Sequence, residues 1–303
     1  MTFYDYLKNI LLILILLQFA PSLVENIKKQ YGRYLEPQTP VAVIPIKGIL
    51  YDSSSYVRQL HKYFKEPKIK AILLKMECAG STSGTGEAIY NEIMELKKEY
   101  PKPVVVLVEN VCASGGYLIA CAADHIVAPS MATIGSIGNY LPFLFQLREF
   151  LQDYKIRYIS IKGGKYKTTG DPFVDMTSEE QALLQSMAHD AYDQFVHIVA
   201  KARKLSITAT LERAEGKIFT GNQALKLGLI DEVGSAYNAI KVIKNKAMIE
   251  GEIEWVKEHQ PTSLLSSLLG GSSPTDNDSS FLSCMVNSIC TTLETRYTSA
   301  KMY

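Results

Sequence analysis

The chain has 303 residues, of which 47% are hydrophobic and 21% charged, a balance typical of a globular protein with a sizeable core. Its formal net charge of +1 gives no basic surface for nucleic acid, so nucleic acid is not an expected partner. The five cysteines lack metal-site spacing, and we interpret three of them as small buried side chains, namely Cys78, Cys112 and Cys121. Accordingly, no metal and no cofactor are expected.

An uninterrupted aliphatic run, Ile10–Leu17, opens an apolar stretch that continues to residue 24. Its length lies between that of a secretory signal and the ~20 residues of a membrane-spanning helix. We predict that residues 1–35 form a hydrophobic membrane anchor or signal segment with a single N-terminal pass that contacts membrane lipid. Basic residues that follow the run favour a cytoplasmic main domain, namely Lys28, Lys29 and Arg33.

Strand and helix patterns alternate after the linker at residues 36–40. Apolar runs predict strands at Val41–Ile46, Ala71–Leu74, Val104–Val108 and His125–Ala128, with helices over residues 55–64 and 87–100 between the first three. This alternation predicts an α/β domain with a largely parallel sheet.

Further elements follow before the composition changes. We predict a helix over Leu141–Leu151, a short strand at Tyr158–Ile161 and a long helix from a capping box at residues 177–180 to about Lys204. The folded domain is expected to cover residues 36–250. Repeated serine and glycine pairs beyond Gln260 indicate a flexible C-terminal tail, to which we assign residues 251–303.

Ser114 lies at the predicted bend between the third strand and a helix, within Asn-Val-Cys-Ala-Ser-Gly-Gly-Tyr117. A hydroxyl there points into the cleft above the strand ends, and the N–H groups of Gly115 and Gly116 favour developing negative charge. The position suits a nucleophile beside an oxyanion hole. Taken alone, the stretch is more often an ordinary helix N-cap followed by flexible residues.

A second Gly/Ser-rich stretch, Cys78–Gly86, follows the second predicted strand and opens the next helix. We interpret it as a loop whose backbone N–H groups face a ligand. It matches neither common nucleotide-binding glycine pattern.

Seven short motifs then follow one another in a specific order: Val41–Gly48, Ala71–Ser81, Ala113–Tyr117, Ala123–Val127, Thr133–Gly138, Gly164–Lys167, and Thr220–Ala224 with Gly228–Asp231. As an ordered set over roughly residues 41–249, they resemble the signal peptide peptidase A (protease IV) family of membrane-bound serine proteases, in its short single-repeat form. The resemblance implies a ClpP/crotonase-like fold, a parallel β-sheet spiral with flanking helices.

The resemblance also implies the chemistry. Ser114 matches the nucleophile, Lys167 the general base and Ser136 the accessory serine that holds the lysine amine. The N–H groups of Gly80 and Gly115 match the oxyanion hole. The implied substrates are hydrophobic peptides such as signal peptide remnants, and the implied assembly is a homo-oligomer. By resemblance the catalytic domain is periplasmic or extracellular, so the side of the membrane stays open.

Three lysines lie near the matched base: Lys162, Lys165 and Lys167. Strand alternation places Lys165 and Lys167 on one face and excludes only Lys162. Lys165 directly follows two glycines, where an amine stays hydrated, and the resemblance selects Lys167. A Ser/His/Asp site is less well supported, because none of the five histidines has the Gly-flanked context of Lys167 or Ser136.

One departure affects the predicted oxyanion hole. The family pattern reads Ser-Pro-Gly-Gly, whereas this chain has Cys78-Ala-Gly-Ser81. A serine at the last position disfavours positive φ, and the missing proline makes the loop less rigid. Two alternatives therefore stay open: a catalytically weak crotonase-like acyl-CoA enzyme and a non-catalytic membrane scaffold of the same fold. The protease is favoured over both alternatives, because Ser114, Ser136 and Lys167 all occupy the matching motif positions.

Overall fold

The computed structural model describes residues 38–141 and 145–257, together with Ile13, Gln18 and residues 20–22. Most of the predicted N-terminal anchor and the tail from residue 258 onward lie outside the described residues. Across the part of the chain that is described, no helix combines the length and the apolar character needed to cross a membrane.

A single sheet organises the described residues. Its strands are β1 (Gln38–Leu50), β2 (Ala71–Ser81), β3 (Val104–Ala113), β4 (His125–Ala128), β5 (Thr133–Gly135), β6 (Ile218–Thr220), β7 (Glu232–Val233) and β8 (Glu252–Lys257). The order is β6-β5-β3-β2-β1-β8, with β4 between β3 and β7. Every described pairing is parallel except that of β5 with β6. The predicted parallel α/β sheet is confirmed.

The described helices flank this sheet. They are α1 (Ser54–Lys65), α2 (Ser83–Glu99), α3 (Gly115–Ala120), α4 (Arg148–Asp153), α5 (Ser178–Arg203), α6 (Ile207–Arg213), α7 (Gly221–Lys226) and α8 (Ala236–Ala247). The predicted capping box at the start of α5 is confirmed, since Thr177 Oγ1 accepts from Glu180 N–H (3.2 Å) and Thr177 N–H donates to Glu180 Oε2 (2.8 Å).

Both faces of the central strands are buried, which explains why those strands are continuously apolar in the sequence. Side chains alternate between the faces. In β1, Ile44 and Ile46 face the larger core under α1, α2, α3 and α5, whereas Val41 and Val43 face a smaller core under α8.

Several predicted boundaries are wrong. Residues 78–81, predicted as a loop, continue β2, because Gly80 and Ser81 pair with Ile49 and Leu50 of β1. Consequently α2 begins at Ser83 rather than Glu87.

The region after β5 also differs from the prediction. Of the helix predicted over 141–151, the described residues are helical only from Arg148, in α4. The predicted strand Tyr158–Ile161 has no regular structure, and Ile161 is 96% exposed. At the other end of the domain, Glu252–Lys257 forms β8 beside β1, although these residues were assigned to the tail.

Candidate active site

Ser114 occupies a strained bend between β3 and α3. Its φ angle is 51° and its ψ angle is −127°, a conformation that non-glycine residues rarely adopt. Two backbone hydrogen bonds hold it: the Ser114 N–H donates to Gly135 O of β5 (2.8 Å), and the Ser114 carbonyl accepts from Leu118 N–H of α3 (3.0 Å). The predicted bend is confirmed, and the neighbouring elements impose its geometry.

The two glycines after Ser114 are required by close packing against β2. A Cβ atom on Gly115 would lie 2.7 Å from the backbone nitrogen of Ser81, and one on Gly116 would lie 2.8 Å from the carbonyl oxygen of Cys78. Real Cβ atoms do not approach so closely. Packing therefore requires glycine at both positions. Backbone conformation does not, because neither residue has positive φ.

Gly80 of β2 lies beside the Ser114 hydroxyl. A Cβ atom placed on Gly80 would be 3.6 Å from Ser114 Oγ. Neither Gly80 nor Ser81 has positive φ, so the serine in place of a second glycine causes no backbone strain here. The first N–H groups of a helix have no intrahelical acceptor, which leaves the Gly115 N–H available to an oxyanion. Gly80 and Gly115 therefore both lie next to Ser114.

A pocket of about 110 Å³ opens beside Ser114. Its apolar walls come from α3 and the second half of α5: Leu118, Ala191, Phe195 and Ile198. Its polar lining comes from β2, α2, α5 and the segment after β5: Ser81, Ser83, Glu87, Asn139 and Gln194. The side chains of Ser83 and Asn139 are hydrogen bonded across the pocket (3.0 Å). Sequence reasoning missed the contribution of α5, for which the apolar stripe in its second half was the available signal.

Ser136 is close to the Ser114 bend. It directly follows Gly135, whose carbonyl holds the Ser114 N–H, and its own N–H donates to Lys217 O (2.7 Å). Its φ angle is 51°, so it too is a serine in a strained backbone conformation. The structure thus brings Ser136 and Ser114 to the same end of the sheet.

Lys167 lies outside the pocket of Ser114. It is exposed, and within the described part of the chain no hydrogen bond or ion pair joins it to Ser114 or Ser136. Its segment is attached to the first turn of α5 instead, through a Thr169–Glu180 hydrogen bond (3.3 Å) and a Lys165–Glu179 ion pair. The nearest α5 residue of the pocket, Ala191, is about 17 Å further along the helix axis. The role of Lys167 stays a prediction.

An ion pair with one largely buried partner, Arg203, lies near α3. Arg203 of α5 binds both carboxylate oxygens of Asp231 (2.7 and 3.0 Å), and Asp231 also accepts from Ile126 N–H (2.8 Å). Burial by itself raises the pKa of Asp231, but the hydrogen bonds and charge of Arg203 outweigh it and hold this pKa below its ordinary value. Burial raises the pKa of Tyr117 well above its ordinary value, so its hydroxyl is a neutral donor to Leu229 O (2.7 Å). Sequence reasoning gave no role to this network.

Three cysteines lie close to the bend and are buried. Burial raises the pKa of Cys78, raises that of Cys112 well above its ordinary value, and raises that of Cys121 to about 12. They are therefore protonated, poorly nucleophilic thiols. Their interpretation as small buried side chains is confirmed.

Ser114 has a strained backbone conformation, is followed by two closely packed glycines and lies beside a pocket on a parallel α/β sheet. This arrangement is typical of a hydrolase that uses a serine nucleophile. Residues 96–250 match the model of peptidase family S49. The chain belongs to this family. Family membership confirms the predicted resemblance and the predicted ClpP/crotonase-like fold class, and it favours the peptidase over the acyl-CoA enzyme.

Similar proteins carry related names. The chain is 39% identical over 198 residues to "Putative protease MJ0651" of Methanocaldococcus jannaschii, covering 65% of this chain and 63% of the relative. It is 34% identical over 235 residues to "Putative protease slr0021" of Synechocystis sp., covering 77% and 84%. It is 30% identical over 220 residues to "Putative signal peptide peptidase SppA" of Enterococcus faecium, covering 73% and 63%. The chain therefore spans less than two thirds of the first and third relatives.

Among solved structures, the chain is similar to that of a ClpP1 point mutant from Listeria monocytogenes. The TM-score is 0.47 at 13% identity, with 65% of this chain and 94% of that chain covered.

Proposed function

We propose that the protein is a serine endopeptidase that cleaves hydrophobic peptides, such as signal peptide remnants, with Ser114 as the nucleophile. The observation that carries the proposal is the strained Ser114 bend, with Gly80 and Gly115 next to the serine and a pocket beside it. Strain of this kind at a non-glycine residue persists only where the surrounding structure imposes it, and such residues cluster at active sites.

The proposed reaction proceeds through an acyl-enzyme. Ser114 Oγ attacks the peptide carbonyl carbon while its proton passes to a neutral amine base, and the carbonyl oxygen becomes an oxyanion between the N–H groups of Gly80 and Gly115. The C–N bond then breaks, the base returns the proton to the leaving amine, and water releases the acyl group from Ser114 by the same route. The apolar pocket walls, Leu118, Phe195 and Ile198, support an apolar substrate side chain next to the scissile bond.

Lys167 is the proposed base, with Ser136 as the hydroxyl that orients its amine. Because Lys167 lies outside the pocket within one chain, its segment must rearrange or the lysine must come from another copy. The segment of Lys167 carries exposed apolar side chains, including Ile159 (78% exposed) and Ile161 (96%), which supports its burial in an assembly. Burial would also favour the neutral amine that a base needs.

The membrane location also belongs to the proposal. The aliphatic run Ile10–Leu17 supports attachment of residues 1–35 to a membrane, with the side of the catalytic domain left open.

Labelling with a fluorophosphonate tests the nucleophile. The active protein should gain one covalent adduct per chain at Ser114, and Ser114→Ala should gain none, as read by intact-mass spectrometry and peptide mapping. Ser130→Ala provides a matched control, because Ser130 precedes β5 outside the pocket lining. A wild-type protein that neither reacts nor cleaves an apolar peptide would favour the non-catalytic scaffold.

A further inference from the structure

Glu87 differs from every other described residue that lines the Ser114 pocket, because it is the one ionisable side chain among them. It lies on α2, one turn after Ser83, and the two side chains line the same pocket. The remaining lining is apolar or neutral and polar. An acidic group therefore stands within the proposed substrate site.

The carboxylate of Glu87 has no partner inside the described part of the chain. No Lys, Arg or His lies within ion-pair distance of it, and no hydrogen bond to it is present. Neighbouring acidic residues of α2 contrast with it, because Glu92 contacts His61 and Glu95 contacts Lys98. Its charge is thus free to interact with a molecule that enters the pocket.

We propose that Glu87 is a specificity residue that selects peptides with a lysine or arginine side chain near the scissile bond. This inference rests on the proposed peptidase function. The aliphatic stem of such a side chain would pack on Leu118, Phe195 and Ile198, while its charged end would reach the exposed carboxylate. Apolar walls around a single negative charge also concentrate its field within the cleft. The preferred substrate is therefore an apolar peptide that carries one basic residue.

The competing explanation is that Glu87 only stabilises α2, since glutamate is a good helix-forming residue at an exposed helix position. That role would affect thermal stability and would have no effect on which peptides are cleaved. The ratio of cleavage rates for two peptides separates these roles, because changes in folding or total activity cancel in the ratio.

The test uses the full-length protein in detergent and apolar peptides of alanine and leucine, in which a single lysine or an uncharged norleucine is moved along the sequence. For the wild-type protein, lysine at one position should raise kcat/KM about 5-fold over norleucine at low salt. Glu87→Gln should bring that ratio to about 1, and Glu87→Lys should bring it below 1 and favour a glutamate peptide. The matched control Glu95→Gln, two turns further along α2, should keep the wild-type ratio.

Salt gives a second readout. The lysine preference of the wild-type protein should fall as NaCl is raised from about 50 mM to about 500 mM, whereas the Glu87→Gln ratio should not change. The inference is overturned if Glu87→Gln keeps the wild-type ratio at every lysine position, or if the wild-type protein shows no lysine preference at any position. Failure of the peptidase proposal would look different, since the wild-type protein would then cleave no better than Ser114→Ala.

Discussion

At the residue scale, the turn after Ser114 depends on the absence of two side chains. Gly115→Ala places a Cβ atom against the Ser81 backbone, which cannot move without breaking β2 from its neighbours. We expect this variant to lose fluorophosphonate labelling and to unfold with a free energy lowered by about 2 kcal/mol or more. Denaturant unfolding and labelling measure the two effects.

Gly84→Ala is the matched control for this prediction. A Cβ atom on Gly84 would meet nothing within 4 Å, and the residue lies in the first turn of α2. Alanine there should leave labelling intact and leave stability equal or slightly higher. Equal tolerance of both substitutions would show that the close approach of β2 does not control the Ser114 bend.

The identity of the base is a second prediction at this scale. Lys167→Ala should lower kcat/KM by a factor on the order of 10³ while the melting temperature stays unchanged, because the lysine is exposed within one chain. Lys165→Ala, which loses an exposed ion pair with Glu179 and a cation–π contact with Tyr166, should cost little. If Lys165→Ala is inactive and Lys167→Ala is active, the general base is Lys165 and not Lys167.

At the element scale, the Arg203–Asp231 pair joins α5 to the segment between α7 and β7 beneath α3. Asp231→Asn leaves the Arg203 charge without its partner, and Arg203 is largely buried. We expect the free energy of unfolding to fall by about 2–4 kcal/mol at neutral pH. Chemical denaturation of Asp231→Asn against the exposed control Asp190→Asn measures this loss.

The same pair gives the stability a pH dependence. Because the pKa of Asp231 is lower in the folded protein than the ordinary value of about 3.9, its contribution is complete above that value. It is lost as the pH falls from about 4 through the folded pKa. The wild-type protein should therefore lose more stability than Asp231→Asn between about pH 5 and pH 3. Parallel acid denaturation curves for the two proteins would contradict this.

Elements with strong local signals were predictable, and elements created by distant partners were not. The apolar strands that begin at Val41, Ala71, Val104 and His125 and the capping box at Thr177 carry their signal within a few residues. The extension of β2 through Cys78-Ala-Gly-Ser81 does not, because it depends on pairing with β1 and β3. Tyr158–Ile161 alternates like a strand, yet within the described residues no neighbouring strand pairs with it.

The candidate site likewise has features that the local sequence predicts and features that it does not. Ser114 and its bend follow from the Ser-Gly-Gly sequence between an apolar strand and a helix. The reason for the glycines, contact with Ser81 and Cys78, and the wall supplied by Phe195 and Ile198 depend on residues far along the chain. No local pattern encodes such contacts.

At the scale of the whole molecule, the exposed apolar side chains between residues 145 and 161 predict a homo-oligomer. Phe145, Phe150, Ile159 and Ile161 are each more than half exposed. Burying such a surface between copies is favourable. Light scattering in detergent should give a mass of several chains, and replacing Ile159 and Ile161 by serine should reduce it. A monomer at every concentration would refute the prediction.

Mixed assemblies decide whether the base comes from another copy. Ser114→Ala and Lys167→Ala are each expected to be inactive. If Lys167 serves the Ser114 of a neighbouring copy, random co-assembly restores activity to about a quarter of wild type, because half the copies keep the serine and half of their neighbours keep the lysine. If a rearranged segment serves its own chain, the mixture stays inactive. Co-assembly requires mixing in denaturant followed by refolding, with wild-type protein refolded in parallel.

The pairing of β8 with β1 affects how this protein can fold during synthesis. Gln38 and Glu252 are partners in the parallel register, so an early strand waits for one of the last segments of the domain to leave the ribosome. Until then β1 has an open edge with unpaired N–H and C=O groups, which is a template for aggregation. Contacts this distant in sequence raise the contact order and slow folding. We therefore expect the nascent chain to be most prone to aggregation until Lys257 has emerged.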